Sequence, residues 1–179
     1  MTASERHVLG SVSKAVGLVI LATVALCAAK VPESVGGSLI PNYHRLRSDV
    51  ASGGQPTEAG LRQLRDLGFE TVIDLRTPSE GTAVEEAAVK AAGLRYVSVP
   101  VTPETFTRSD VDTVAKVLGE SERGPVLLHC ASGNRAGAVW AVLLAAEGRT
   151  YAEAEAAGRK IGLQSPAMIA AVRRVVGHS

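Results

Sequence analysis

Val126-Leu127-Leu128-His129-Cys130-Ala131-Ser132-Gly133-Asn134-Arg135 joins two apolar segments of different kinds. The part up to His129 is short and β-favouring, the pattern of a buried strand. Residues 136–146, after Arg135, are almost wholly apolar and read as a central helix. Between them the backbone amides from Ala131 to Arg135 can curl round one point, with the positive end of the helix dipole behind them. Gly133 permits the backbone angles such a cradle needs. A cysteine at the mouth of this nest is favoured as thiolate by the amides and by Arg135, whose planar fork suits an oxyanion. The product is a nucleophile aimed at a bound anion. Ser132 is expected to donate to the sulfur and Asn134 to brace the loop. His129 is expected to support the loop backbone rather than act as a base. The plainer alternative, a small buried thiol beside an ordinary turn, leaves the coincidence of strand, glycine, arginine and helix unexplained.

Outward from this loop, strands alternate with helices. Residues 43–47 and 50–52 read as short strands before the tight Gly53-Gly54-Gln55-Pro56 turn. Thr57 can cap a helix whose apolar face is Leu61, Leu64 and Leu67, ended by Gly68. Residues 71–75 form a β-branched strand. Thr82-x-x-Glu85 has the spacing of a capping box, opening a helix that runs to Ala92 and stops at Gly93. Residues 95–99 read as a strand. Ser109, with Asp112 at the reciprocal position, is expected to cap a helix striped by Val111, Val114 and Leu118. Thr150-x-x-Glu153 caps a further helix, and Ser165-Pro166 starts the last one. The fold expected is α/β, a largely parallel central sheet flanked by helices. No internal repeat is present.

The chain has 179 residues and a formal net charge of +1. No run of Lys or Arg stands out, which argues against nucleic acid as a partner. Its two cysteines are Cys27 and Cys130, so the folded part holds one thiol and no internal disulfide. His7, His44, His129 and His178 show no ligand spacing, and no metal or cofactor is expected. Arg6 and Lys14 precede an apolar run over residues 15–29, closed by Lys30 and Pro32. That is the pattern of a signal sequence or signal anchor over residues 1–29. Cleavage after Ala29 fits small-residue rules tolerably, with Cys27 and Ala29 at the two critical positions; Leu26 before Cys27 argues against a lipoprotein. The expected location is periplasmic or otherwise extracytoplasmic, with membrane contact through residues 15–29 if they are retained. Residues 30–41, with Gly36, Gly37 and two prolines, read as a linker to a domain at 42–179.

Three motifs in order carry a family resemblance: Ser52-Gly53-Gly54-Gln55-Pro56-Thr57, Val72-Ile73-Asp74-Leu75-Arg76 and the His129-Cys130 loop. Together they resemble the bacterial DUF442 group, also called the beta-lactamase-hydrolase-like phosphatase-like domain. That group lies within the cysteine-dependent tyrosine and dual-specificity phosphatase superfamily. The resemblance spans roughly residues 42–176. It implies a phosphatase-type three-layer sandwich, Cys130 as nucleophile, Arg135 as anion clamp and the amides of Ala131, Ser132, Gly133 and Asn134 as the cradle.

Three departures from the phosphatase pattern keep other chemistry open. Four residues separate Cys130 from Arg135 where phosphatases have five, a tighter ring closer to rhodanese-type sulfurtransferases. Ala136 stands where a Ser or Thr commonly follows the arginine. The segment that should bring a general-acid Asp reads Pro100-Val101-Thr102-Pro103-Glu104-Thr105, so Glu104 is the only carboxylate nearby. Gln55, Asp74 and Arg76 are further candidates near the loop, with an ion pair or turn contact equally consistent for Asp74 and Arg76. Trp140 is expected in the core, and Arg173-Arg174 on a solvated face. The activity expected is phosphoester hydrolysis through Cys130. Its rivals are sulfur transfer through a Cys130 persulfide and an anion-binding or redox-responsive module without turnover. The ligand expected is a phosphorylated or sulfur-donor small anion, or a phosphoprotein.

Overall fold

Runs of four residues form the strands and longer segments form the helices. The computed structural model describes residues 30–177; the signal or anchor expected at residues 1–29 lies outside them. Among the described residues no helix is long and apolar enough to cross a membrane. The strands are β1 (His44–Arg47), β2 (Val50–Gly53), β3 (Thr71–Asp74), β4 (Arg95–Ser98) and β5 (Val126–His129). They form one mixed sheet in the order β1-β2-β5-β3-β4. Strands β2, β5, β3 and β4 are parallel, and β1 adds antiparallel to β2. Every residue of β3 and β5 is buried, as expected for parallel strands covered on both faces. The edge strands carry His44, Arg45 and Arg47 at one side and Arg95 at the other, charges that discourage edge pairing.

The helices are α1 (Glu58–Gln63), α2 (Thr82–Ala91), α3 (Arg108–Gly119), α4 (Asn134–Ala146), α5 (Tyr151–Lys160) and α6 (Pro166–Val176). Alternation along the strands divides the core in two. Ile73, Val126 and Leu128 face α3, α4 and α6. Ala51, Val72 and Leu127 face the other way, against Leu64, Phe69, Val89 and Leu94 from α1, α2 and their connections. The stretch expected as a linker is not free of this core: Val31 and Ile40 are buried in the second cluster. Trp140 lies in the core as expected, with the Arg47 guanidinium 5.1 Å from its ring centre.

Several caps fall where the sequence places them. Thr57 accepts from the Gly60 amide, Thr150 pairs reciprocally with Glu153, and Ser165 accepts from Met168. Two do not. The residue before α2 is Gly81, in the left-handed region at φ 80°, and Glu85 turns into the core instead of back to Thr82. Helix α3 begins two residues earlier than expected: Thr107 is its cap, with Asp110 reciprocal, while Asp112 pairs with Arg108. Arg174 is also not simply solvated, because it donates to the carbonyls of Pro103 and Phe106.

The register places Gly53, His129, Asp74 and Ser98 in one row across the sheet. These are the last residues of the four parallel strands. Every loop leaving this row emerges on the same side, the usual place for a site in an open α/β sheet.

Candidate active site

Strand β5 ends at His129, and the chain turns at once into the ring that closes on Arg135. Gly133 is the cap of α4 at φ 99°. A Cβ there would sit 2.4 Å from Asn42 Nδ2, so the position needs glycine for its backbone and for space. The Gly133 amide donates to Cys130 Sγ at 3.1 Å. The backbone, rather than Ser132, is thus the observed donor to the sulfur. Cys130 is buried and free, with the N-terminus of an apolar helix behind it.

Three residues tie the ring to its surroundings: Gln55 and Asn42 from outside, and Asn134 from within it. The Gln55 amide donates to the Ala131 carbonyl at 3.1 Å, so Gln55 reaches the ring through its backbone, with its side chain exposed. Asn42 Nδ2 donates to the carbonyls of Ser132 (3.2 Å) and Ile161 (3.0 Å). Asn134 Oδ1 accepts from the amides of Gln164 and Ser165, the brace expected of it.

Arg135 reaches the opposite flank. Its two terminal nitrogens meet the two oxygens of Glu80, each at 2.7 Å, a bidentate pair. Longer contacts at 3.4 Å run to the carbonyls of Leu75 and Val101. Glu80 is aimed by the Thr77 amide at 2.8 Å. Hydrogen bonds from Arg135 pull the Glu80 carboxyl down to about 2, against a smaller opposing effect of burial.

Beneath the ring lies a buried ionic network. Arg76 bonds both oxygens of Asp74 and one of Glu85, at 2.7 Å and 2.5 Å for the closest contacts. Tyr96 donates to Asp74 at 2.9 Å. His129 Nε2 lies 2.7 Å from Glu85 Oε1, close but misaligned for a hydrogen bond, while Nδ1 is 3.3 Å from the Cys130 carbonyl. Burial pushes the Asp74 carboxyl up, but the Arg76 hydrogen bonds, the charge of His129 and the Tyr96 hydroxyl together hold it below the ordinary range. Asp74 and Arg76 therefore sit under the site as a structural ion pair. Asp74, Glu85 and His129 also offer ligand atoms within 4.8 Å of one another, a grouping the histidine spacing gave no sign of. The Arg76 guanidinium already places positive charge against both carboxylates.

Glu104 is exposed, and no contact joins it to Cys130 or Arg135 among the described residues. Thr102 and its own backbone amide hold its carboxyl below the ordinary value, and Arg174 adds to this. Sequence reasoning missed Glu80, Glu85, Tyr96 and Asn42. The only local signal among them was Thr77-x-x-Glu80, which has capping-box spacing like the stretch starting at Thr82.

This arrangement can be set beside known proteins. A family model described as DSP-PTPase phosphatase fused to NAD+ kinase matches residues 36–172. The chain belongs to that family. It is also 34% identical over 119 residues to a beta-lactamase hydrolase-like protein of Xylella fastidiosa, covering 63% of the chain and 27% of the relative. It therefore spans about a quarter of the length of the curated relatives it matches first. A Neisseria meningitidis structure described as a candidate phosphatase is 26% identical with TM-score 0.61, covering 73% of this chain and 96% of that one. P. aeruginosa TpbA, in a Cys-to-Ser variant bound to phosphotyrosine, is 21% identical with TM-score 0.62, over 84% and 90% of the two chains. The chain thus has an α/β phosphatase-like fold, and its likeness to the DUF442 and beta-lactamase hydrolase-like proteins stands.

Proposed function

We propose that this chain hydrolyses a phosphoester through Cys130. The observation that carries the reading is the Gly133 amide on Cys130 Sγ, at the N-terminus of α4 and beside an Arg135 fixed by Glu80. The phosphoryl oxygens would occupy the ring of amides from Ala131 to Arg135, with the guanidinium N–H groups of Arg135 that Glu80 does not take on its open flank. The thiolate attacks phosphorus, the P–O ester bond breaks, and the leaving oxygen takes a proton from water or a nearby acid. Water then attacks the phosphocysteine, the P–S bond breaks, and inorganic phosphate and thiolate are released. Support for an anionic phosphate ligand comes from the phosphotyrosine held by TpbA. The compartment we propose is extracytoplasmic, on the strength of Arg6 and Lys14 before the apolar residues 15–29.

Two observations favour a second reading, sulfur carried as a persulfide on Cys130. The ring has four residues between Cys130 and Arg135, and Glu104, ionised near neutral pH, offers no proton to an alkoxide. Sulfur transfer from thiosulfate needs no such acid. The intact mass of the reduced chain after brief exposure to an aryl phosphate, and separately to thiosulfate, decides between them. A phosphoryl adduct with phenol release, absent in Cys130→Ser, is the expected result. A gain of one sulfur instead would replace the phosphatase reading with the persulfide carrier. Binding of either anion with no adduct in either tube would overturn both in favour of an anion-binding module.

A further inference from the structure

We infer that Asn42 is a positioning residue for the Cys130 thiolate, acting through a single peptide plane. This deepens the phosphatase reading and rests on it only in taking the thiolate as the working form. A trans peptide points its C=O and N–H in opposite directions. The Ser132 carbonyl and the Gly133 amide belong to the same peptide unit. Asn42 Nδ2 grips the carbonyl at 3.2 Å, and the amide of that unit meets Cys130 Sγ at 3.1 Å. Holding the oxygen outward is what aims the hydrogen inward at the sulfur.

Four features show that the fold is built round this grip. Asn42 is the only non-glycine residue with positive φ among the described residues, at 51°. Asparagine tolerates that region better than most, yet the conformation still stores strain. The carboxamide is oriented from its other end, because His44 Nε2 lies 3.0 Å from Asn42 Oδ1. Its second hydrogen bond, to the Ile161 carbonyl, ties the ring to the turn after α5. Finally, the space it fills is kept open by two glycines. A Cβ on Gly133 would meet Asn42 Nδ2 at 2.4 Å, and one on Gly162 would meet it at 2.7 Å. Residues on either side of the ring are thus shaped to admit this one amide.

The test uses the full reduced chain and does not depend on turnover. Iodoacetamide alkylation at pH 6 is followed on the peptide carrying Cys130, which separates it from Cys27, and protection by inorganic phosphate is titrated alongside. Asn42→Gly keeps the left-handed backbone without strain and removes the clamp. It should slow alkylation and raise the half-protecting phosphate concentration, each about tenfold, the scale of one hydrogen bond to a charged group. Asn42→Asp keeps the shape and the backbone preference but turns an oxygen against the two carbonyls, so it should lose at least as much. A merely structural role would lower the melting temperature and leave alkylation and protection within twofold of wild type in both variants; that result overturns the inference. Phosphatase activity is scored separately. Absent aryl phosphate hydrolysis with a tenfold alkylation defect would sink the proposed reaction and leave the Asn42 assignment standing.

Discussion

Glu80 grips Arg135 with both carboxylate oxygens, so the guanidinium plane is set before any ligand arrives. Replacing Glu80 by Gln keeps the shape but removes the charge and turns an N–H toward the arginine. Turnover of an aryl phosphate, kcat/KM, should fall about tenfold, as expected when a charge-assisted pair is lost. The pH behaviour follows from the direction of the shift. Glu80 titrates at about 2 in the fold against an ordinary 4.5, so its contribution is complete above the ordinary value and fades only as pH falls toward 2. Between pH 5 and 8 the wild-type and Glu80→Gln curves should therefore run parallel; a gap that opens or closes in this range would contradict the assignment. The ring from Cys130 to Arg135 was legible in the sequence because its geometry is local: strand, nest, glycine and helix are contiguous. Glu80 and Asn42 were not, since Asn42 meets Ser132 across 90 positions and Glu80 meets Arg135 across 55. Nothing in the spacing of either pair announces the meeting.

Helices α4 and α5 cross where two glycines face each other. A Cβ on Gly137 would lie 2.6 Å from the Gly158 carbonyl and 2.8 Å from the Leu163 amide. Gly137→Ala should thus force the helices apart and cost about 1–3 kcal/mol in urea unfolding. Gly119, at the end of α3, is exposed with nothing near its missing Cβ. Gly119→Ala should be neutral or stabilise by up to about 1 kcal/mol through the unfolded chain. Equal losses at the two sites would show that backbone freedom, not the crossing, matters. Strand and helix order could be read from the sequence because burial on one face or two leaves a period. Caps were less certain. Thr77, Thr82, Thr107 and Ser109 each precede a carboxylate by three positions. Tertiary contacts chose among them, and Glu85 was drawn away from Thr82 by Arg76 and His129. The chain between positions 30 and 41 misled for a related reason: its glycines and prolines describe a local bend, while Val31 and Ile40 find the core.

At the scale of the molecule, Asp74, Arg76, Glu85, His129 and Tyr96 bring β3, β4, β5 and α2 together under the site. Arg76→Met would leave two carboxylates buried without their partner, a loss of about 3–5 kcal/mol. Asp74 supplies the sign with pH. Its carboxyl is held below the ordinary range, so the stability it contributes is present above about 3.9, its unfolded value, and is lost as pH falls below that. In Arg76→Met the same buried carboxyl takes up a proton more readily. The deficit of the variant, measured by chemical denaturation, should shrink as pH drops from 7 to 4; a constant deficit would deny the network its ionic character. The row Gly53-His129-Asp74-Ser98 has a consequence of its own. The residue that ends the innermost strand also carries the Cys130–Arg135 ring, and the charges beneath it bolt that strand to its neighbours. Ring and sheet are therefore expected to give way together on warming, so the exposure of Cys130 to alkylation and the loss of secondary structure should fall at one temperature.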